Sequence, residues 1–100
     1  MPENPLNTIT GIDPKVVEKM RSTDDWVFKD GALPKKVKLL MAMAFDAADG
    51  TVSGVRAIAR QAMNKGATKE EIGEALRVAY LMKGVGPVYV ASEALTEIFP

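Results

Sequence analysis

The chain has 100 residues, with 13 Lys and Arg against 13 Asp and Glu, so its formal net charge at pH 7 is zero. At ~150 residues per domain this length predicts one domain, and the balanced charge disfavours binding to nucleic acid or to an anionic membrane. No apolar run approaches the ~20 residues of a membrane span, and the first ten residues carry neither a basic nor an apolar signal region. We therefore expect a cytoplasmic protein with no membrane or nucleic-acid partner.

The sequence contains no cysteine and no histidine. Without cysteine, the chain has no disulfide, no thiolate zinc site and no thiol redox cycle of its own. Without histidine, it lacks the commonest general base near neutral pH and the commonest metal ligand. We predict no metal and no cofactor, and any catalysis must use carboxylates, amines, guanidiniums or hydroxyls.

Proline, glycine and capping residues predict about five helices in one all-α bundle. The polar residues 1–12 are predicted to form an N-terminal arm that starts no element, and residues 13–100 the helical domain. Asp13 and Pro14 begin the first helix, which is predicted to end near Thr23 or slightly later and is followed by a bulky cluster at 26–28.

The second predicted helix, from Pro34 to about Asp49, contains no polar residue between Leu39 and Phe45. A helix that is apolar nearly all round needs neighbours on all sides, and a chain of this length has few helices to offer. We therefore predict a homo-oligomer in which subunits cover one another.

The remaining helices have clear start signals. Thr51 or Ser53 is predicted to cap the third helix, which runs to Lys65. A capping box of Thr68 and Glu71 begins the fourth, and Pro87 begins the fifth, which carries apolar residues as far as Ile98. The one strand-like run, Val85 to Val90, is split by glycine and proline.

Three stretches in this order resemble the carboxymuconolactone decarboxylase family, whose helical fold is that of alkyl hydroperoxidase D. They are Leu33 to Leu40, Ala62 to Leu76, and Lys83 to Val88. The resemblance implies an alkyl hydroperoxidase D-like bundle that assembles as a trimer or hexamer.

Redox-active members of that family carry a Glu-x-x-Cys-x-x-Cys-x-x-x-His motif. The resemblance places its glutamate at Ala48, its two cysteines at Thr51 and Gly54, and its histidine at Ile58. Since all four are replaced, the resemblance implies no thiol peroxidase activity for this chain. Members closer to the decarboxylase keep the histidine, so Ile58 also removes the base expected of a carboxy-lyase.

Polar residues near this position are the candidates for chemistry. The catalytic candidates are Asp46, Arg56 and Ser53. Asp46 could act as a general acid or base with a raised pKa, form a salt bridge to Arg56 or Arg60, or lie at an edge exposed to water. Arg56 could hold a carboxylate substrate or lie at an interface.

Residues at the junction of the second and third predicted helices, and one residue near the end of the fourth, are predicted to contact a substrate. They are Asp49, Thr51, Gly54, Ile58 and Tyr80. Capping accounts for Thr51, and packing for Tyr80, without any ligand.

Three functions follow as hypotheses. The first is a family member without the motif that binds or converts a small carboxylate or lactone compound at a subunit-interface pocket, a carboxy-lyase if active. The second is a non-catalytic oligomeric scaffold or binding protein. The third, peroxiredoxin-type activity, is disfavoured because it needs a thiol from another protein.

Overall fold

The structure is a computed structural model that describes residues 4–100. The described residues form six helices and no strand. They are α1 (Asn7–Ile12), α2 (Pro14–Phe28), α3 (Lys35–Asp49), α4 (Val52–Asn64), α5 (Lys69–Lys83) and α6 (Gly86–Leu95). In this part of the chain, no helix is both long enough and apolar enough to cross a membrane. The predicted all-α fold is confirmed.

Helices α3 to α6 form a bundle, which we call the body. Antiparallel α3 and α4 form its central hairpin, and α5 and α6 pack against that pair. The centre of the body is made of small and medium side chains from all four helices. These are Met43, Ala47, Val55, Ala59, Ile72 and Ala94. Because alanines predominate, the helix backbones approach closely, and Met43 and Val55 fill the space between them.

Helices α1 and α2 form an N-terminal arm, which we define as residues 7–28. Helix α1 packs on α2, and the last turns of α2 reach α3. Two hydrogen bonds 2.8 Å long join the Lys38 ammonium to the carbonyl oxygens of Val27 and Lys29, while the Phe28 ring packs on the cluster around Leu39. The arm is therefore fixed to the body at its C-terminal end.

This region differs from the prediction in two ways; the predicted arm comprised residues 1–12 alone, and the helix that begins at Pro14 was assigned to the helical domain. Residues 7–12 are helical, although they were expected to start no element, and residues 1–3 of that segment lie outside the described residues. Helix α2 also continues to Phe28 instead of ending near Thr23 or slightly later, and the Phe28 side chain packs against the body. The bundle thus has one helix more than the five expected.

Most predicted helix boundaries agree with the structure. The Asp13 carboxylate accepts a hydrogen bond of 3.1 Å from the Lys15 N–H, and Pro14 is the first residue of α2. Both halves of the capping box form, since the Glu71 N–H donates to Thr68 Oγ1 at 3.1 Å and the Thr68 N–H donates to Glu71 Oε1 at 2.9 Å. Helix α6 ends at Leu95 rather than near Ile98.

Candidate functional site

The α3–α4 hairpin places Asp46 against Gly54. Helix α3 ends at Gly50, whose φ of 82° is in the left-handed region, and Val52 begins α4 almost at once. A Cβ atom added to Gly54 would lie 2.9 Å from Asp46 Cγ and would overlap the carboxylate oxygen. Asp46 therefore occupies the space that a side chain at position 54 would fill. We call Asp46, Thr51 and Gly54 the hairpin site.

Burial raises the pKa of the Asp46 carboxyl above its ordinary value of 3.8, and the negative charge of Asp49 raises that pKa further. Desolvation disfavours the charged form, and a like charge acts in the same direction. Within residues 4–100 the Asp46 carboxylate forms no ion pair. The hairpin site can therefore hold a proton more tightly than an exposed aspartate does.

The salt bridge suggested between Asp46 and Arg56 or Arg60 is wrong. Arg56 Nε donates to the carbonyl oxygen of Ala94 at 3.1 Å and lies 3.7 Å from Glu97 Oε2. Arg60 Nη2 lies 3.4 Å from the same Glu97 oxygen. Residues 56 and 60 are on the face of α4 that meets α6, whereas Gly54 and Ile58 are on another face, so the arginines tie α4 to the end of α6.

The hydroxyl caps predicted for α4 are also not observed. Thr51 is the N-cap residue by position, but its side chain accepts no hydrogen bond from the described residues. The side chains of Asp49, Thr51 and Ser53 are exposed to solvent. The start of α4 is instead held by the tight turn, in which the Thr51 N–H donates to the carbonyl oxygen of Asp46 at 2.9 Å.

Ile58 lies on the same face of α4 as Gly54, one turn further along the helix. It forms part of a cavity of about 480 Å³ between the end of α2 and the α3–α4 hairpin, which we call the Ile58 cavity. Its lining combines apolar and charged side chains from α2, α3 and α4 and from Lys29, just after α2. These are Asp24, Asp25, Phe28, Lys29, Lys35, Leu39, Ile58 and Gln61.

Sequence reasoning identified Ile58 but not the other residues of this cavity. A weak signal was present for two of them: Gln61 is a polar residue three positions after Ile58 and so shares its face, and Lys35 lies one turn before Leu39. Nothing in the spacing indicated Asp24, Asp25 or Lys29, because α2 approaches this face only through the tertiary fold.

Tyr80 lies elsewhere, in a shallow depression between α5 and α6. We call this the α5–α6 groove, and its volume is about 440 Å³. Its lining is mainly apolar. It consists of Gly73, Leu76, Arg77, Tyr80, Val88, Ala91, Ser92 and Leu95.

The predicted site residues therefore separate into distinct regions. Asp46, Thr51 and Gly54 meet in the hairpin site, Ile58 lines the Ile58 cavity, and Tyr80 lines the α5–α6 groove. Arg56 is engaged with α6. No cluster of three acidic side chains able to hold a metal ion occurs in residues 4–100.

Comparisons with known proteins agree with this fold. The sequence profile of the carboxymuconolactone decarboxylase family matches residues 14–97. The crystal structure of apo-lpg0406, a carboxymuconolactone decarboxylase family protein from Legionella pneumophila, is similar with a TM-score of 0.84 and 32% sequence identity; the match covers 90% of this chain and 80% of that chain. A search of curated proteins gives no match. The chain belongs to the carboxymuconolactone decarboxylase family, as the three sequence stretches indicated.

Proposed function

We propose that this chain is a family member without thiol chemistry that binds a small carboxylate or lactone compound in the Ile58 cavity. The observation that carries this proposal is the position of the cavity. Its wall includes Ile58, which stands where redox-active relatives have their histidine, so the position of that histidine, although not those of the two cysteines, faces a space that could hold a compound. The volume of about 480 Å³ falls within the range usual for small-molecule sites.

The lining offers apolar surface and ammonium groups to a compact compound with one apolar part and one anionic group, although Asp24 and Asp25 balance the charges of its two lysines. Phe28, Leu39 and Ile58 present apolar surface, which favours a ring or alkyl group. Lys29 and Lys35 contribute ammonium groups, and neither forms an ion pair within the described chain. A ligand carboxylate beside half-buried Lys35 would gain a charge-assisted hydrogen bond.

Binding is favoured over turnover by the chemistry of the lining. Its ionisable groups are two aspartates and two lysines, and the chain has no imidazole or thiol. A carboxy-lyase reaction would therefore need a carboxylate or an ammonium to carry the proton. None of the three catalytic candidates, Asp46, Arg56 and Ser53, lines the cavity, so none of them supports turnover of a compound bound there.

A second function, an oligomeric scaffold or binding protein, is favoured by a different observation. The polar candidates do not converge on one point, and Arg56 is engaged with Ala94 and Glu97. Large apolar side chains on the body are also exposed, among them Phe45 at 69% and Leu81 at 79%. This fits the expected homo-oligomer, a trimer or hexamer as the family resemblance implies.

A thermal-shift screen with small aromatic and lactone carboxylates tests the first function. A compound present at 100 times its Kd stabilises the folded protein by about 2.7 kcal/mol. We expect Lys35→Gln to weaken binding about tenfold or more, and Lys83→Gln, which removes a lysine at the far end of α5, to leave it unchanged. A flat response of the unaltered protein across the panel would favour the scaffold instead.

A further inference from the structure

The arm exposes an apolar stripe along one side. Val16, Met20 and Val27 recur at helical spacing on α2. Ile12 is a further exposed apolar residue at the end of α1, before the non-helical Asp13. All four are exposed, Val16 at 49% and Met20 at 38%. We call these four residues the arm stripe. An amphipathic helix whose apolar face lacks a neighbour in its own chain has the form of a helix that docks in a groove.

The α5–α6 groove is the matching surface. It is lined largely by apolar side chains, including Leu76, Val88 and Leu95. Gly73 lies within α5, where a glycine costs about 1 kcal/mol relative to alanine. A Cβ atom there would meet nothing within 4 Å in this chain. The missing side chain therefore relieves no crowding in one subunit and leaves the groove open.

The surface area indicates how much of the chain a partner would cover. The accessible surface is 7119 Å², whereas a compact monomer of 10.8 kDa is expected to expose about 5,500 Å². A standard interface buries ~800 Å² on each partner, so the excess equals about two such interfaces. The radius of gyration, 14.5 Å, likewise exceeds the ~13 Å expected for a compact chain of this length.

We propose that the arm stripe of one copy docks in the α5–α6 groove of a second copy. The arm of each chain then lies in the groove of one neighbour, and its own groove holds the arm of another. This arrangement gives two interfaces per chain. Because the two surfaces differ, the contact is heterologous and closes into a ring when the rotation between copies allows it.

The docked arm also affects the Ile58 cavity, and this part rests on the proposed function. Asp24, Asp25 and Lys29 of the cavity wall are at or just after the end of the arm. A second copy that holds the arm thereby holds this wall in place. Ligand affinity should therefore fall when the copies separate.

The absence of native cysteine allows a direct test by crosslinking. Met20→Cys chains are mixed with Ser92→Cys chains and treated with a short bismaleimide, with Gly73→Cys as a second groove position. We expect a covalent dimer containing one chain of each kind. Ser22→Cys is the matched control, since residue 22 lies on the opposite side of α2 and should give much less product. Equal yields from Met20→Cys and Ser22→Cys, or dimers formed by Ser92→Cys chains alone, would overturn the proposal.

Sedimentation without ligand gives a second, independent readout. Met20→Asp and Gly73→Gln should weaken self-association at least tenfold, whereas Ser22→Asp and Gly73→Ala should retain it. Circular dichroism identifies any variant that fails to fold. If Met20→Asp or Gly73→Gln is unfolded, the crosslinking experiment alone tests the arm contact. A protein that assembles through the arm but binds no compound refutes the proposed function alone; unchanged assembly of folded Met20→Asp refutes the arm contact alone.

Discussion

The body and the arm of this protein are built from the same kind of amphipathic helix but are stabilised differently. In the body, Leu39, Met43 and Ala47 of α3 are buried against neighbouring helices of the same chain. In the arm, α2 buries Val17 and leaves its stripe at Val16 and Met20 exposed. The difference shows that apolar periodicity predicts a helix in both regions, but that only the packing reveals whether the partner of that helix is in the same chain.

The largest expected effect is a difference in the free energy of unfolding between two methionine-to-alanine variants, one in the body and one in the arm. Met43 is 0% exposed, so Met43→Ala should lower the free energy of unfolding by about 2–5 kcal/mol, at every protein concentration. Met20→Ala should cost less than ~1 kcal/mol in dilute solution, because this side chain is already partly in water. Urea denaturation measures both. Equal losses for the two variants in dilute solution would remove the distinction between body and arm.

Gly54→Ala tests how tightly the α3–α4 hairpin of the body is packed. The new Cβ would overlap the Asp46 carboxylate, so we expect a loss of about 1–3 kcal/mol from overpacking. The double variant Asp46→Ala/Gly54→Ala should recover most of that loss, since the smaller side chain leaves room. Additive effects of the two substitutions in a denaturation cycle would show that residues 46 and 54 do not compete for this space.

Two threonines at helix starts in the body differ in whether their hydroxyl caps the helix, so their alanine variants should differ in stability. The Thr68 hydroxyl accepts a hydrogen bond in a capping box, so Thr68→Ala should cost ~1 kcal/mol. Thr51 has the same position at the start of α4 but makes no such bond with the described residues, and Thr51→Ala should cost clearly less. Thermal unfolding of the two variants compares them, and similar losses would contradict the structure at α4.

The smallest effects are pH-dependent and of opposite sign. The pKa of Asp46 is raised from 3.8 by burial and by Asp49, so its contribution to stability is complete below pH 3.8 and is lost as pH rises through the raised pKa. The pKa of Glu71 is lowered from 4.5, mainly by the hydrogen bond from the Lys36 ammonium, whose nitrogen lies 2.9 Å from Glu71 Oε2. The contribution of Glu71 is therefore complete above pH 4.5 and is lost as pH falls through the lowered pKa.

Asp46→Asn and Glu71→Gln separate these two contributions. Relative to the unaltered protein, Asp46→Asn should gain stability as pH rises from 3 to 6, and Glu71→Gln should lose stability over the same range. Unfolding by urea at several pH values gives the two slopes. Slopes of the same sign would contradict one of the two environments.

Helix boundaries set by local chemistry were predictable from the sequence. Asp13 with Pro14, and Thr68 with Glu71, act through hydrogen bonds within a few residues, so their spacing is sufficient. Helix α1 was missed although a local signal precedes it: the Asn4 side-chain oxygen accepts a hydrogen bond of 2.9 Å from the Leu6 N–H, and Pro5 follows Asn4 as Pro14 follows Asp13. No residue of α1 is buried, so the signal was local and was misread as part of an irregular arm.

The candidate site was predictable at one residue and not as an assembly. Ile58 was located by its register relative to the Lys65–Gly66 stop and the capping box. The partners of Arg56 are 38 and 41 residues away, at Ala94 and Glu97, and Asp24 reaches the Ile58 cavity from another helix. Contacts between residues so far apart leave no periodic pattern in the sequence, so they could not be predicted from it.

Hydrogen exchange of the α2 amides as a function of protein concentration tests the central claim most directly. The body should protect the amides of α3 to α6 at all concentrations, because its core is complete within one chain. Amides in the first turns of α2, away from the end that is fixed to the body, should become protected only as the concentration rises and copies associate. Full protection of α2 in a dilute sample that sediments as a single 10.8 kDa chain would contradict the account.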